Sequence, residues 1–172
     1  MRNLDSEGDS PGSLRDVTPP IRISVVGGGR ASPEEAAEAR ALGRALGEAG
    51  AIVVTGGLGG VMEAASRGCA EAGGLTVGLL PGREPSAANP WVAVPLATGL
   101  GEARNTLVAR VGEVVVAVGG EWGTLSEIAF ARKTGRQVGL LGSPPCDLAL
   151  PRFGSGEEAA RWALETAAAA RG

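Results

Sequence analysis

From residue 21 onward, short β-branched and aliphatic runs alternate with stretches whose apolar positions recur every three or four residues. The runs "IRISVV" (21–26), "AIVVT" (51–55), "LTVGLL" (75–80), "EVVVAV" (113–118) and "QVGLLG" (137–142) are continuously apolar rather than alternating. That is the pattern of strands covered on both faces, as in a parallel sheet. Between the first two, "SPEEAAEARALGRALGEAG" predicts a helix with Ser32 as N-cap, Pro33 in the first position and Glu35 completing a capping box. Its apolar face reads Ala39, Leu42, Leu46 and Ala49, and Gly50 ends it. "VMEAASRGCAEAGG" (61–74) predicts the second helix, and others are expected from about Gly101 to Arg110 and from about Thr124 to Thr134. "SGEEAARWALETAAAA", capped by Ser155 with Glu158, predicts the last, and "WVAVPL" (91–96) reads as a short extended piece after a polar loop. The alternation of strand and helix implies an α/β protein: a Rossmann-like doubly wound parallel sheet with helices on both faces. One domain is expected over 21–172, preceded at 1–20 by a polar leader too poor in apolar groups to offset its ordering entropy.

Glycine marks the ends of the strands. Gly27–Gly29, Gly56–Gly60 and Gly119–Gly123 each follow a strand and open a helix. In a parallel sheet such turns share the carboxyl edge, where helix N-termini offer unpaired N–H groups and the positive dipole end to an anion. Familiar nucleotide loops do not fit. "GGGRAS" has Ser32 where a dinucleotide fingerprint has its third glycine, and "GGLGGVME" lacks the Gly-Lys-Ser/Thr of a phosphate-hydrolysing loop. Two carboxylates stand at the helix starts. Thr124-Leu125-Ser126-Glu127 satisfies a capping box, which is the simpler reading of Glu127, with catalysis as the alternative. Glu63 complements the dipole of its helix in the same way. Arg104 is the exception: a cation near a helix start is unfavourable by a few tenths to roughly 1 kcal/mol, so an anion, either Glu102 or a ligand, is expected beside it.

Composition narrows the chemistry further. The chain has no His, which removes Ser-His-Asp triads, Cys-His pairs and histidine metal sites, and no metal site is expected. Cys69 and Cys146 are far apart and read as reduced, buried thiols. With a net charge of −3 there is no positive field for a nucleic-acid polymer, whereas a small anion remains compatible. No apolar run reaches the length of a membrane span, so a cytoplasmic protein without a membrane partner is expected.

"ARNTLVARVGEVVVAVGGEWGTLSE" (103–127) resembles the LONELY GUY family, once labelled lysine-decarboxylase-like, whose signature is P-G-G-x-G-T-x-x-E with an arginine one helix and one strand upstream. Together with "TGGLGGVMEAASRGCAEAGGLTVGLLP" (55–81) it is similar to a short branch that includes molybdenum cofactor carrier proteins. The resemblance spans about 21–142 and implies Arg104 and Glu127 as the catalytic pair, with Gly120, Gly123 and Thr124 in a phosphate cradle. Combined with the glycine turns, it gives a ligand-contacting set that also includes Gly27, Gly28, Gly29, Gly57, Gly59, Gly60, Met62, Glu63, Asn105 and Gly119. Two functions follow from it. The carrier branch implies a protein that holds a phosphorylated pterin, molybdenum cofactor, and breaks no bond. The hydrolases imply a phosphoribohydrolase that cleaves the N-glycosidic bond of nucleoside 5'-monophosphates and requires no cofactor. A homodimer or homotetramer is also implied, with Leu42, Leu46 and Leu107 either at the contact or in the core. The chain departs from the signature in four places: Gly119 replaces its Pro, Glu121 its second Gly, Asn105 the usual Lys after the arginine, and Glu102-Ala103 a His-Glu pair. These changes weaken hydrolysis more than binding. Glu121 either sets a negative side chain beside the anion site or turns to solvent while Trp122 packs inward.

Overall fold

The computed structural model describes residues 18–144 and 146–172. Most of the expected leader lies outside the described residues. In chain order the elements are β1 (Arg22–Gly27), α1 (Pro33–Glu48), β2 (Ile52–Thr55), α2 (Val61–Glu71), β3 (Thr76–Leu80) and β4 (Val94–Ala97). There follow a 3₁₀ turn (Gly101–Arg104), α3 (Asn105–Val111), β5 (Val114–Val118), α4 (Trp122–Lys133), β6 (Gln137–Leu141), β7 (Arg152–Phe153) and α5 (Gly156–Ala169). The seven strands form one parallel sheet in the order β4-β3-β2-β1-β5-β6-β7. This is the doubly wound Rossmann-like architecture expected from the strand–helix alternation.

Successive side chains of a strand point to opposite faces, so each apolar run feeds two cores. Ile23, Val25, Val53, Val114, Val116 and Val118 pack with Leu42, Leu46, Ala65 and Ala163, which places α1, α2 and α5 on one face. Val26, Val54, Val115, Ala117 and Val138 pack with Val108, Ala109, Ile128 and Ala131, so α3 and α4 cover the other. Leu42 and Leu46 are fully buried and serve the core, while Leu107 is partly buried against the second cluster. Ser24, fully buried in β1, is satisfied at both ends of its hydroxyl: it donates to the Val108 carbonyl and accepts from the Gly112 N–H. That pair ties α3 to the sheet.

Both expected capping residues act as such. The Ser32 hydroxyl accepts from the Glu35 N–H while Glu35 accepts from the Ser32 N–H, and Ser155 caps α5 through the Glu158 N–H. The apolar face of α1 differs from the expected one in detail. Ala49 is exposed, and the buried face is completed by Gly43 and Gly47, which have no side chain to hold α2 away. The helix expected from Gly101 begins as a 3₁₀ turn and becomes α-helical only at Asn105, placing Arg104 at the joint. Cys69 is buried as expected, with its thiol pushed up to about 11 by desolvation, but Cys146 is exposed. The two-residue β7 had no sequence signal, being too short to show a period. No described helix is long and apolar enough to cross a membrane.

Candidate functional site

The strand order runs outward in both directions from the β1–β5 pair, so the connections leave these two strands on opposite sides of the sheet and open a crevice at their carboxyl ends. A cleft of about 220 Å³ occupies it. Val26 to Gly29 at the end of β1, Gly56 and Leu58 after β2, and Met62 on α2 form one wall. Glu102, Arg104 and Asn105 supply a second, and Glu121, Gly123, Thr124 and Glu127 at the start of α4 a third.

Of the residues expected to contact ligand, this brings together Arg104, Glu127, Gly27, Gly28, Gly29, Met62, Asn105, Gly123 and Thr124. The others lie elsewhere. Gly60 and Glu63 line a separate hollow of about 270 Å³ between the starts of α1 and α2, with Ala31 and Arg67. Gly57 gives its N–H to the Thr55 hydroxyl, and a Cβ there would meet Leu80 at 2.8 Å, so it is a packing residue. Gly59 lies 3.5 Å, measured from an ideal Cβ, from the Gly29 carbonyl and lines neither cavity. Gly119 and Gly120 shape the turn itself: both have positive φ, and a Cβ would run into Glu35 at the first and Thr124 at the second. The expectation that three helix mouths converge on one anion is corrected accordingly. Ser32 caps α1, and the first amide of α2, Val61 N–H, donates to the Gly28 carbonyl. Of these three starts, only that of α4 has neither a side-chain cap nor, among the described residues, a backbone bond from its first amide.

The capping box expected at Thr124 and Glu127 does not form. The N-cap of α4 is Glu121, three residues earlier, its side chain makes no capping bond, and the first amide to bond back is Leu125 N–H to the Glu121 carbonyl. Thr124 and Glu127 are therefore one turn inside the helix, both buried against the cleft, and the amides before Leu125 precede the ladder. Trp122 does not pack inward; it is 83% exposed. Val26, Gly56, Leu58, Glu102 and Glu121 line the cleft without having been expected to. Gly56 belongs to a recognised glycine turn, Glu121 stood out as a departure from the signature, and Glu102 both as a departure and as a possible counter-charge to Arg104. For Val26 and Leu58 there was no signal, since they read as ordinary apolar residues.

Arg104 and Glu127 face each other across the cleft. They are 7% and 6% exposed, and Arg104 Nη1 lies 3.8 Å from Glu127 Oε1, too long for a direct hydrogen bond. Nη1 donates instead to Asn105 Oδ1 at 2.7 Å, and Nε is buried with no partner among the described residues. Burial dominates both groups: it lowers the guanidinium below its ordinary value, and it raises the Glu127 carboxyl to about 7 against the opposing pull of Arg104. A loose ion pair repays little of its desolvation. The cleft thus holds a cation with unused donor capacity and a carboxyl that is half protonated near neutrality.

Glu127 makes stability depend on pH. Its carboxyl is raised in the fold from an ordinary 4.5 to about 7. The folded chain therefore holds a proton that the unfolded chain releases, and the stabilisation is full below about 4.5 and lost as pH rises through about 7. Thermal unfolding between pH 5 and 8 is expected to show the wild-type midpoint falling from pH 5 to about 7 and levelling off above it. In Glu127→Gln this component of the fall disappears.

Two glycines in the cleft have no architectural reason to be glycine. Gly29 and Gly123 have ordinary negative φ; a Cβ on Gly29 would meet nothing within 4 Å, and one on Gly123 would meet only Asn105 Nδ2 at 3.9 Å. Glycine inside a helix costs about 1 kcal/mol relative to alanine, so at Gly123 the missing side chain leaves open room in the cleft at the expense of stability. Gly56 works differently. A Cβ there would sit 2.6 Å from Arg104 Nη1 and 2.6 Å from Met62 Sδ. Because both are ends of flexible side chains, Gly56→Ala is expected to fold with a midpoint within a few degrees of wild type yet displace the guanidinium. Titration with inorganic phosphate should then show about tenfold weaker binding.

Comparison with known proteins places the chain among relatives. The SLOG cluster4 family matches over residues 20–168. An uncharacterised protein of Archaeoglobus fulgidus is 36% identical over 146 residues, 85% of this chain and 96% of its own. The molybdenum cofactor binding protein of Rippkaea orientalis superposes with a TM-score of 0.81 at 33% identity, covering 87% of this chain and 98% of that one. The molybdenum cofactor carrier protein of Chlamydomonas reinhardtii does so with a TM-score of 0.80 at 34% identity, covering 87% and 99%.

Proposed function

Because the chain belongs to the SLOG cluster4 family, we propose that it is a carrier of molybdenum cofactor, holding the phosphate end of the pterin in the β1–β5 cleft and breaking no bond in it. The observation that carries the reading is the combination of open space at Gly29 and Gly123 with a buried arginine whose Nε has no partner. An oxyanion between them would take hydrogen bonds from the uncapped amides of α4 and charge from Arg104. Thr124 and Asn105 line the same wall and offer further polar contacts. The solved relatives that bind or carry molybdenum cofactor support the choice of ligand.

Glu127 sets the conditions of binding in this reading. When it ionises, as pH rises through about 7, a negative charge is added beside the anion. Affinity for inorganic phosphate or tungstate is therefore expected to fall several-fold between pH 6 and 8 in the wild type, beyond any change from ligand titration, and to fall less in Glu127→Gln. Calorimetric titration at several pH values measures it.

The test of function is to load the purified protein with molybdenum cofactor, pass it through gel filtration and assay the protein fraction for molybdenum and pterin. Co-elution of both in near-equal amounts is expected. Loss of both from the protein fraction contradicts the proposal. A parallel incubation with nucleoside 5'-monophosphates should release no free base; release would place the chain with the hydrolases instead.

A further inference from the structure

Glu121 is out of place in a cleft built for an anion. Glu102, Glu121 and Glu127 line it against a single cation, Arg104. Burial answers for Glu127, which can take a proton. Glu121 is exposed, stands at the N-cap of α4 and makes no capping bond, so its carboxylate serves neither the helix nor the core. Beside a bound phosphate it would only repel. The residue that follows is also unspent: Trp122 is exposed over 83% of its surface, whereas Trp91 and Trp162 are partly buried. An indole offers a large flat apolar surface, and this one, not itself in the cleft lining, is flanked in sequence by Glu121 and Gly123, which are.

We propose that Glu121 and Trp122 form the ring-recognition corner of the site, selecting a planar heterocycle that carries an amino group beside a ring N–H, the 2-amino-4-oxopyrimidine edge. The inference rests on the carrier reading and adds what that reading leaves open, namely how the ring is chosen once the phosphate is held. A carboxylate accepts two parallel N–H bonds in the same fork geometry with which it meets a guanidinium, and the amino and ring N–H groups of this edge are spaced to give them. Trp122 supplies the stacking face, which tolerates any flat ring, while Glu121 discriminates among rings. This gives the departure from glycine at position 121 a positive role. The same edge occurs in pterins and in guanine, so the chemistry is shared between two sources.

The test uses two matched pairs that differ at the 2-position: pterin against its 2-oxo analogue lumazine, and GMP against IMP. Calorimetry and indole fluorescence follow binding to the full chain. The 2-amino member of at least one pair is expected to bind about tenfold more tightly, because the Glu121 carboxylate then accepts two charge-assisted N–H bonds instead of one. Which pair shows the preference identifies the source. In Glu121→Gln the preference should shrink to less than about threefold while inorganic phosphate binds more tightly, since a repelling charge is gone; these opposite signs cannot come from damage to the fold. Trp122→Ala should weaken ring ligands about tenfold more than it weakens phosphate. Equal binding within both pairs, or a preference that survives in Glu121→Gln, overturns the proposal. Arg104→Ala titrated with inorganic phosphate tests the carrier reading separately: unchanged phosphate affinity there refutes the anion site without touching the selectivity result.

Discussion

Arg104→Ala is expected to weaken binding of inorganic phosphate and of molybdenum cofactor by about 100-fold, roughly 3 kcal/mol, while the protein stays folded. The loss in affinity follows from the site's composition, because Arg104 is its one lining cation and the remaining charged groups are carboxylates. The tolerance of the fold follows from the partner's titration. Removing one member of a buried ion pair ordinarily costs 3–5 kcal/mol, roughly, since a bare charge remains. Here the charge left behind is on Glu127, already at about 7 through burial, and the loss of Arg104 can only raise it further. The carboxyl takes a proton at neutral pH instead of remaining bare. Arg104 itself is a poor stabiliser, being nearly buried at the helix start with an unpartnered Nε. Calorimetry for affinity and thermal unfolding for stability separate the two effects, and a collapse of the unfolding midpoint with affinity retained would contradict both halves.

Gly68→Ala is expected to be the most damaging single substitution outside the site. Alanine is the better helix former by about 1 kcal/mol, so an isolated α2 would gain from the change. In the folded protein the new Cβ would fall on the Arg40 carbonyl oxygen of α1 and within 2.9 Å of the Arg44 amide, both backbone atoms that cannot swing away. Gly43 of α1 meets the Ala65 carbonyl in the same manner, so the two helices touch backbone to backbone at both positions. Separating them to admit one methyl group opens the contact along its length. Overpacking of this kind costs roughly 1–3 kcal/mol and here acts against backbone, so a net loss of at least ~2 kcal/mol is expected. Denaturant unfolding of Gly68→Ala measures it. Gly29→Ala, whose Cβ would meet nothing, is the matched control and should leave stability nearly unchanged.

The architecture was legible because the signals that carry it are local. Continuous apolar runs marked the buried strands, Ser32 and Ser155 marked helix starts, and glycines marked the carboxyl edge. The helix-helix seam was not legible: Gly43, Gly47 and Gly68 look like weak points in helical patterns until α1 and α2 are brought together. In the site, Arg104 and Glu127 were found because a cation at a helix start and a carboxylate after a glycine turn are each noticeable alone. The capping reading of Glu127 failed although its rule was locally correct: Thr124 to Glu127 fits a capping box, but the helix begins at Trp122 and carries both residues into the cleft. Glycine turns invited the same overreach. Gly57, Gly119 and Gly120 answer to backbone geometry and close neighbours, whereas Gly29 and Gly123 answer to space, and only coordinates separate these needs. Inward packing of Trp122 was left open by the sequence; in the structure both faces of the sheet are filled without it.

The most direct measurement is the molybdenum and pterin content of wild type and Arg104→Ala, each loaded with molybdenum cofactor and separated from free ligand under identical conditions. The proposed anion site requires near-stoichiometric cofactor on the wild type and almost none on the variant. Equal retention by the two proteins, or none by either, would contradict it.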